Sequence, residues 1–282
     1  EKHDVERISF LIDECKQMGI EVLPPDINES FHNFSVVPKE HKIRFGLLAI
    51  KNVGENIVSA IIDERKNNSP FKSFPDFVSR IDSKDFNKKS MESMIKAGVF
   101  DQFEERNKLL ENIEDILSFN REIRKSKSNH QATLFGVIQV SSSALALKPA
   151  QVAQNEQKLL WEKELLGLYI SSHPLERMRG ILQRKTMPLR ELKNDLFNPN
   201  VLVGGIISSI KKIITKNGQP MIFMKLEDLT DRAEVVIFPS LLEQNPDIFQ
   251  ENKIVFISGR KDVRDGEPKI IASRIEEIIE EA

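Results

Sequence analysis

Residues 43–67 read IRFGLLAIKNVGENIVSAIIDERKN, and the turn at their centre decides how the first half of the chain folds. Apolar residues recur at helical spacing on both sides of Asn52-Val53-Gly54, which predicts a helix, a tight turn and a second helix. A helix-hairpin-helix element has a Gly-hydrophobic-Gly turn, and Asn52 can replace the first glycine because asparagine tolerates left-handed backbone. The N–H groups and positive dipole end of the second helix predict a phosphate site independent of base sequence, formed by Lys51, Asn52, Val53, Gly54 and Glu55. An ordinary helix turn is the alternative.

A second turn of this kind is expected in residues 93–101, SMIKAGVFD. Gly98 would form the turn, and Asp101 is expected to cap the next helix, which carries Arg106. Two such elements in tandem form a four-helix module that holds successive phosphates of a duplex. No strand alternation is evident from residue 39 to 127, and Lys and Arg slightly outnumber Asp and Glu there. We therefore predict an all-α domain over 36–127, with further duplex contacts at Lys96, Gly98 and Arg106.

The last third of the chain changes period and predicts a β-barrel. Five β-rich runs are separated by turn residues, and PSLLEQNPDIFQEN at 239–252 suits a short helix between the third and fourth. This order is that of a five-stranded OB-fold barrel, which we place at 191–282. Such barrels bind single strands through strands two and three and the loop between strands one and two, which suggests Lys211, Lys212, Lys216, Phe223 and Lys225. Phe223 could stack a base, although a phenylalanine on a strand more often belongs to the core, and the charge balance predicts modest affinity.

Residues 128–156 have the composition of a linker. They are polar and Ser-rich, yet Leu134 and Phe135 stand together three and four residues after Gln131. The pair either packs back onto its own domain or is buried by another protein. A helical connector is then expected over 157–190.

Composition narrows the classes of function. The net charge of −2 gives no overall attraction to nucleic acid, so any binding depends on local patches. Cys15 is the only cysteine, which excludes an intramolecular disulfide or a multi-cysteine zinc site. The five histidines lack zinc-ligand spacing, no carboxylate pair suits a metal-dependent reaction, and no apolar run suits a membrane span. We expect no catalytic residue and no metal or cofactor site. The sequence opens at Glu1 on a helical pattern, which suggests an excised part of a longer protein.

Several stretches together resemble the bacterial replicative DNA polymerase III alpha subunit: LIDECKQMGIEVLPPDIN, IRFGLLAIKNVGENI, MESMIKAGVFD, KELLGLYISSHPLE and the barrel strands, in that order. The resemblance covers essentially the whole chain. It implies that residues 1–35 end the fingers domain, and that the duplex- and clamp-binding helical domain and the barrel follow. The polymerase aspartates would precede residue 1, and Mg²⁺ is expected for the intact polymerase. The intact protein would thus be a nucleotidyltransferase, while this part alone is expected to be inactive.

The same resemblance assigns the Leu-Phe pair. The family's motif for its sliding clamp is a glutamine, two variable residues and Leu-Phe, which is similar to Gln131, Ala132, Thr133, Leu134 and Phe135. The implied partners are the clamp (the beta subunit), duplex primer-template, single-stranded template, and further holoenzyme subunits through parts outside this chain, in the bacterial cytoplasm. TKNGQP, with Lys216, has fewer basic residues than the family often shows.

Three other readings stay open on the residues alone. A structure-specific nuclease or ligase also combines these modules, but it should show clustered metal ligands or a nucleotidyl lysine motif, and the sequence shows neither. An aminoacyl-tRNA synthetase fragment would use barrel aromatics to stack bases and would have no Leu-Phe pair in the linker. A purely structural scaffold is the third alternative.

Overall fold

The computed structural model describes residues 7–8, 11–12, 14–15, 18–128, 145–193, 199–215, 218–264 and 267–278. The chain divides into two compact units, Glu1–Ser172 and His173–Ala282. The predicted clamp peptide Gln131–Phe135 and Lys216 lie outside the described residues. None of the helices within those ranges has the length and apolar character needed to cross a membrane.

The first unit is built mainly from helices. They are α1 (Glu55–Asn68), α2 (Phe74–Arg80), α3 (Lys88–Lys96), α4 (Arg106–Glu111), α5 (Ile113–Ser128) and α6 (Asn155–Leu166). Their apolar faces share one core, in which Phe77 contacts the rings of Phe74 and Phe100 at centroid distances of 6.0 and 4.8 Å. Burial of this kind supplies most of the helices' stability, because short isolated helices are marginal in water. The predicted helical character of this unit is confirmed.

A small sheet in the same unit corrects part of that prediction. β1 (Glu21–Leu23) pairs parallel with β3 (Lys42–Arg44), and β2 (Ser35–Val37) pairs antiparallel with β3. The helix expected before Asn52 is therefore a strand followed by a single 3-10 turn, Leu47–Ala49. Gly46 shows why: its backbone is extended, and a Cβ there would lie 2.5 Å from the carbonyl carbon of Asn33. The conformation of this short apolar run is therefore set by the close approach of two backbone segments and not by helical periodicity.

Arg65 of α1 fixes the segment that follows β1. Its buried guanidinium donates hydrogen bonds to the carbonyl oxygens of Ile27 and Ser30. Burial lowers the pKa of Arg65, an effect that nearby Asp26 and Glu29 oppose. The segment is thereby held along α1, with the next residues, Phe31 and His32, beside that helix.

The second unit is a closed five-stranded barrel. Its strands β4 (Asn200–Ile214), β5 (Pro220–Glu227), β6 (Arg232–Ile237), β7 (Ile254–Arg264) and β8 (Glu267–Glu277) are ordered β4-β5-β6-β8-β7. β6 and β8 pair parallel, and the other neighbours pair antiparallel. A short helix, α8 (Pro239–Gln244), lies between β6 and β7 in the chain, as expected. The predicted OB-fold barrel is confirmed.

The unit boundary falls inside the connector expected over 157–190. Leu165 and Leu166 of α6 are buried in the core of the helical unit, whereas Leu189 and Leu192 are buried in the barrel core. A further helix, α7 (Arg179–Lys185), packs on β4, where Gly204 leaves room for Leu182. The segment is thus shared between two cores.

Candidate nucleic-acid interface

The first hairpin turn, Lys51–Gly54, leaves the start of α1 open. Asn52 has a φ of 66°, the left-handed conformation expected for it, and Gly54 at the N-cap is extended. Val53 is buried, whereas the other residues of the turn and Glu55 are exposed. α1 has no side-chain cap, and a Cβ on Gly54 would meet no atom within 4 Å. The orphan N–H groups of its first turn can therefore reach an anion.

Two distant segments hold this turn in shape. Asn52 Nδ2 donates to Ser93 Oγ of α3 at 3.2 Å, and the Lys51 N–H donates to the Leu165 carbonyl oxygen of α6 at 3.0 Å. Val53 N–H closes the turn onto the Ile50 carbonyl oxygen at 3.2 Å. The conformation is thus set before any ligand arrives, which lowers the ordering cost of binding.

The Gly98 turn has the opposite character. Gly98 has a φ of 85°, but a Cβ there would lie 2.4 Å from Arg106 Nη2, so that guanidinium fills the space beside the turn. Arg106 donates to the Lys96 carbonyl oxygen at 2.9 Å and to the Asp101 carboxylate at 2.7 Å, and its side chain is 4% exposed. Arg106, predicted to contact DNA, is therefore held inside the protein.

The predicted cap on α4 is wrong. Glu105, not Asp101, is the N-cap, and its carboxylate accepts hydrogen bonds from the N–H groups of Lys108 and Ala153. Burial acts to raise the pKa of Glu105, but hydrogen bonds from Ala153, Lys108 and other partners together outweigh it, so the pKa lies below its usual value. α4 begins at Arg106, well after Gly98, and a carboxylate covers its start, so this turn offers no open helix end to a phosphate.

Glu162 of α6 completes the contacts around Arg106. Its Oε1 lies 3.3 Å from Arg106 Nη2, and its Oε2 accepts hydrogen bonds from the N–H groups of Ile170 and Ser171. Burial opposes the charge on Arg106, but Asp101 and Glu162 outweigh it and raise the pKa of the guanidinium. These contacts fix α6, the helix whose Leu165 carbonyl holds the first hairpin turn.

A further turn lies beside the first one and was missed in the sequence. Residues 81–87 join α2 to α3, and Asn56 Nδ2 of α1 donates to Asp85 Oδ2 at 2.9 Å, which brings this turn to the start of α1. Lys84 and Lys89 are exposed there. The turn contains no glycine, so only the capping pair Asn87 and Ser90 marks the start of α3 in the sequence.

The barrel brings part of its predicted set together. Lys211 on β4, Phe223 on β5 and Val236 on β6 are register partners on the outer face. Phe223 is half-buried there, and Lys225 lies two residues further along the same strand face. Lys212 pairs with the buried Ile222 and so lies on the opposite face of β4.

Acidic residues share this outer face of the barrel. Glu234 is the register partner of Lys225, and Lys269 Nζ lies 2.7 Å from Glu234 Oε1. The row therefore alternates in charge, which weakens its attraction for a phosphate backbone. Among the described residues, no group of three or more His, Cys, Asp or Glu side chains is placed to hold a metal ion.

Comparison with known families agrees with this architecture. Residues 19–110 match the family described as "Helix-hairpin-helix motif", and residues 201–278 match "OB-fold nucleic acid binding domain". A solved structure of a replication protein A heterotrimer bound to ssDNA is similar at 14% identity, covers 29% of this chain and 60% of its own, and has a TM-score of 0.24. That likeness is too low to bear on the fold or the function.

Curated relatives cover nearly all of the chain. DNA polymerase III subunit alpha of Thermus aquaticus is 36% identical over 242 residues, 84% of this chain and 19% of its own length. The protein of the same name from Mycobacterium tuberculosis strain H37Rv is 34% identical over 283 residues, 96% of this chain and 23% of its own. The protein of the same name from Borreliella burgdorferi is 35% identical over 268 residues, 90% of this chain and 23% of its own length. The chain thus spans about a fifth to a quarter of these relatives and matches their C-terminal part.

Proposed function

This chain belongs to the DNA polymerase III alpha-subunit family, and on that premise we propose that it is the non-catalytic part that holds DNA and the sliding clamp during replication. The observation that carries the proposal is the first hairpin turn, where an exposed, uncapped helix end is preorganised by α3 and α6. Such an end binds phosphate whatever the base sequence, as a replicative enzyme requires.

Duplex DNA is the proposed ligand of the helical unit. The N–H groups at the start of α1 would donate hydrogen bonds to one phosphate, with Lys51 beside it. Lys84 and Lys89, on and just after the adjacent turn, would contact the neighbouring backbone. Lys96 and Gly98 stay secondary candidates, since the Gly98 turn presents no open helix end. Contacts of this type are lost with added salt, because they displace counterions from DNA.

Single-stranded template is the proposed ligand of the barrel. Lys211, Phe223 and Lys225 share an outer face across two strands, which suits a backbone contact next to a stacked base. Lys212, near the end of β4, and Lys216, two residues after that strand in the sequence, stay candidates. The alternating charges around Glu234 support a modest affinity.

The clamp is the proposed partner of Gln131–Phe135. Support comes from the likeness of these residues to the family motif and from their place between α5 and α6. Burial of Leu134 and Phe135 contributes roughly 3–6 kcal/mol before the cost of ordering the segment, which describes an exchangeable contact.

The whole protein would be a Mg²⁺-dependent DNA-directed DNA polymerase of the bacterial cytoplasm, associated with the nucleoid. Its nucleotidyl transfer would use residues outside this chain, and its other holoenzyme partners would bind elsewhere. The chain alone should therefore not extend a primer, and measurable extension would contradict this division of labour.

The test is fluorescence anisotropy with labelled DNA. The wild-type chain should bind blunt duplexes of different sequence equally, and its affinity should fall steeply with salt. Lys211→Glu/Lys225→Glu should weaken single-strand binding and leave duplex binding unchanged. Failure to bind duplex at low salt would overturn the proposal.

Clamp binding needs its own experiment. The chain should bind its sliding clamp in surface plasmon resonance, and Leu134→Ala/Phe135→Ala should abolish the signal. Val137→Ala/Ile138→Ala, a few residues further on, serves as the matched control and should bind like wild type. Binding that survives the first double substitution would place the contact elsewhere.

A further inference from the structure

We propose that His32 tunes the duplex site by pairing with Glu55, so that protonation of this histidine strengthens DNA binding. The inference rests on the proposed function and adds a residue to that same site. Two requirements conflict at the start of α1. Glu55 is the first residue of the helix, where a carboxylate suits the helix dipole but repels a phosphate.

The structure places a cationisable group against that carboxylate. His32 Nε2 lies 3.5 Å from Glu55 Oε1 and 3.0 Å from Ser59 Oγ, one helical turn further along α1. The side chains of His32 and Glu55 are 34% and 67% exposed. Both therefore remain open to solvent protons and to an approaching backbone.

The position of His32 is fixed relative to the turn. The N–H groups of Leu47 and Leu48, just before the first hairpin turn, donate to the carbonyl oxygens of Phe31 and His32 at 2.9 and 3.0 Å. Ser59 orients the ring from the other side. His32 is thus part of the frame that carries the phosphate site.

The charges around the site determine how the protonation of His32 affects DNA binding. Lys51 is the cation of the turn, whereas Glu55 and Asp85 place two carboxylates near the start of α1. Further along α1, Arg65 and Lys66 lie over the Phe31 ring, at 5.1 and 5.8 Å from its centroid. A neutral His32 leaves Glu55 uncompensated, while an imidazolium pairs with it and removes its repulsion of a phosphate.

Histidine is the side chain whose charge ordinarily changes between about pH 5 and 8. A charge of either sign near a helix end changes binding by about 0.3–1 kcal/mol, which corresponds to roughly a two- to fivefold change in affinity. Duplex affinity should therefore rise by about that factor from pH 8 to pH 6.

The test is duplex anisotropy at both pH values and constant ionic strength, with circular dichroism as the check that each variant is folded. Wild type should bind more tightly at pH 6, and His32→Gln should lose that difference. Glu55→Gln should bind more tightly than wild type at pH 8 and depend less on pH. His41→Gln, at an exposed histidine in the turn between β2 and β3, should behave like wild type.

The outcomes separate the two proposals. Equal wild-type affinity at pH 6 and pH 8, or a pH dependence that survives in His32→Gln, would overturn the role of His32 and leave the duplex site standing. Absence of duplex binding at every pH would instead contradict the proposed function itself.

Discussion

The first hairpin turn and the Gly98 turn are alike in backbone and opposite in their surroundings. Each contains a residue with positive φ, Asn52 at 66° and Gly98 at 85°. The first leads directly into a 14-residue helix with an open end, whereas the second is filled by the Arg106 side chain and followed by a short helix that Glu105 caps. A left-handed turn residue thus does not by itself leave a helix end open to an anion. The two turns differ in whether the protein's own side chains already occupy the space.

The largest expected effect is a loss of stability when Arg106 is removed from the Gly98 turn. Arg106→Ala would leave Glu162 and Asp101 without their cation, and loss of one partner of a buried pair costs about 3–5 kcal/mol. Chemical denaturation followed by helical circular dichroism should show this loss in the helical unit. Arg121→Ala, on the exposed face of α5, should change stability by less than about 0.5 kcal/mol. Similar small changes in both variants would mean that Arg106 is free to meet DNA.

The next largest effects are expected from alanine at Gly98 and at Gly54, which should differ in their loss of stability and of duplex affinity. Gly98→Ala combines a strained φ with displacement of the bound Arg106, and we expect a loss of about 1–3 kcal/mol in unfolding free energy. Gly54→Ala meets open space and should cost at most about 1 kcal/mol. Its methyl group would nevertheless stand where a phosphate approaches, so duplex affinity should fall more in Gly54→Ala than in Gly98→Ala. The reverse order of affinities, measured on fully folded protein, would break the comparison.

Asn52 tests how the first turn is held. Asn52→Ala must keep an αL backbone without a suitable side chain, which costs about 1–2 kcal/mol, whereas Asn52→Gly keeps the conformation. Ser93→Ala removes only the hydrogen bond to Asn52 and should cost about 0.5–1.5 kcal/mol. Duplex affinity should follow the order Asn52→Gly, Ser93→Ala, Asn52→Ala from strongest to weakest. Equal affinity in Asn52→Ala and Asn52→Gly would show that the φ of this residue does not shape the site.

The smallest effect is a pH dependence at Glu105. Because its pKa is lowered in the folded chain, its contribution to stability is complete above the unfolded value, near 4.5, and is lost as pH falls through the lower folded value. The midpoint temperature of thermal unfolding should therefore fall further for wild type than for Glu105→Gln when the pH is lowered below about 4.5. Parallel curves for the two proteins would contradict the cap seen at α4.

The sequence predicted the parts of the fold that depend on long repeats of pattern. Alternation over five strands with a helix between the third and fourth indicated the barrel, and helical periodicity indicated α1. It missed the three-stranded sheet because Lys42–Arg44 is too short to show a period, and its pairing depends on contacts with Glu21–Leu23. Local pattern cannot report such a distant pairing.

The site shows the same division. The turn at Asn52–Gly54 could be predicted because its geometry is local and its residue types are restrictive. The burial of Arg106 could not be predicted, since its partner Glu162 is 56 residues away in the chain. The turn at residues 81–87 lacked glycine, and its nearness to α1 rests on the long-range pair Asn56–Asp85.

The most direct test of the central claim reverses one charge at each turn. Lys51→Glu and Lys96→Glu change the net charge equally, and duplex affinity is measured by anisotropy over a series of salt concentrations. Lys51→Glu should lose roughly tenfold in affinity and lower the salt slope by about one, while Lys96→Glu should lose less than about twofold. Equal losses at both positions would contradict the claim that the first hairpin turn, and not the Gly98 turn, is the main duplex contact.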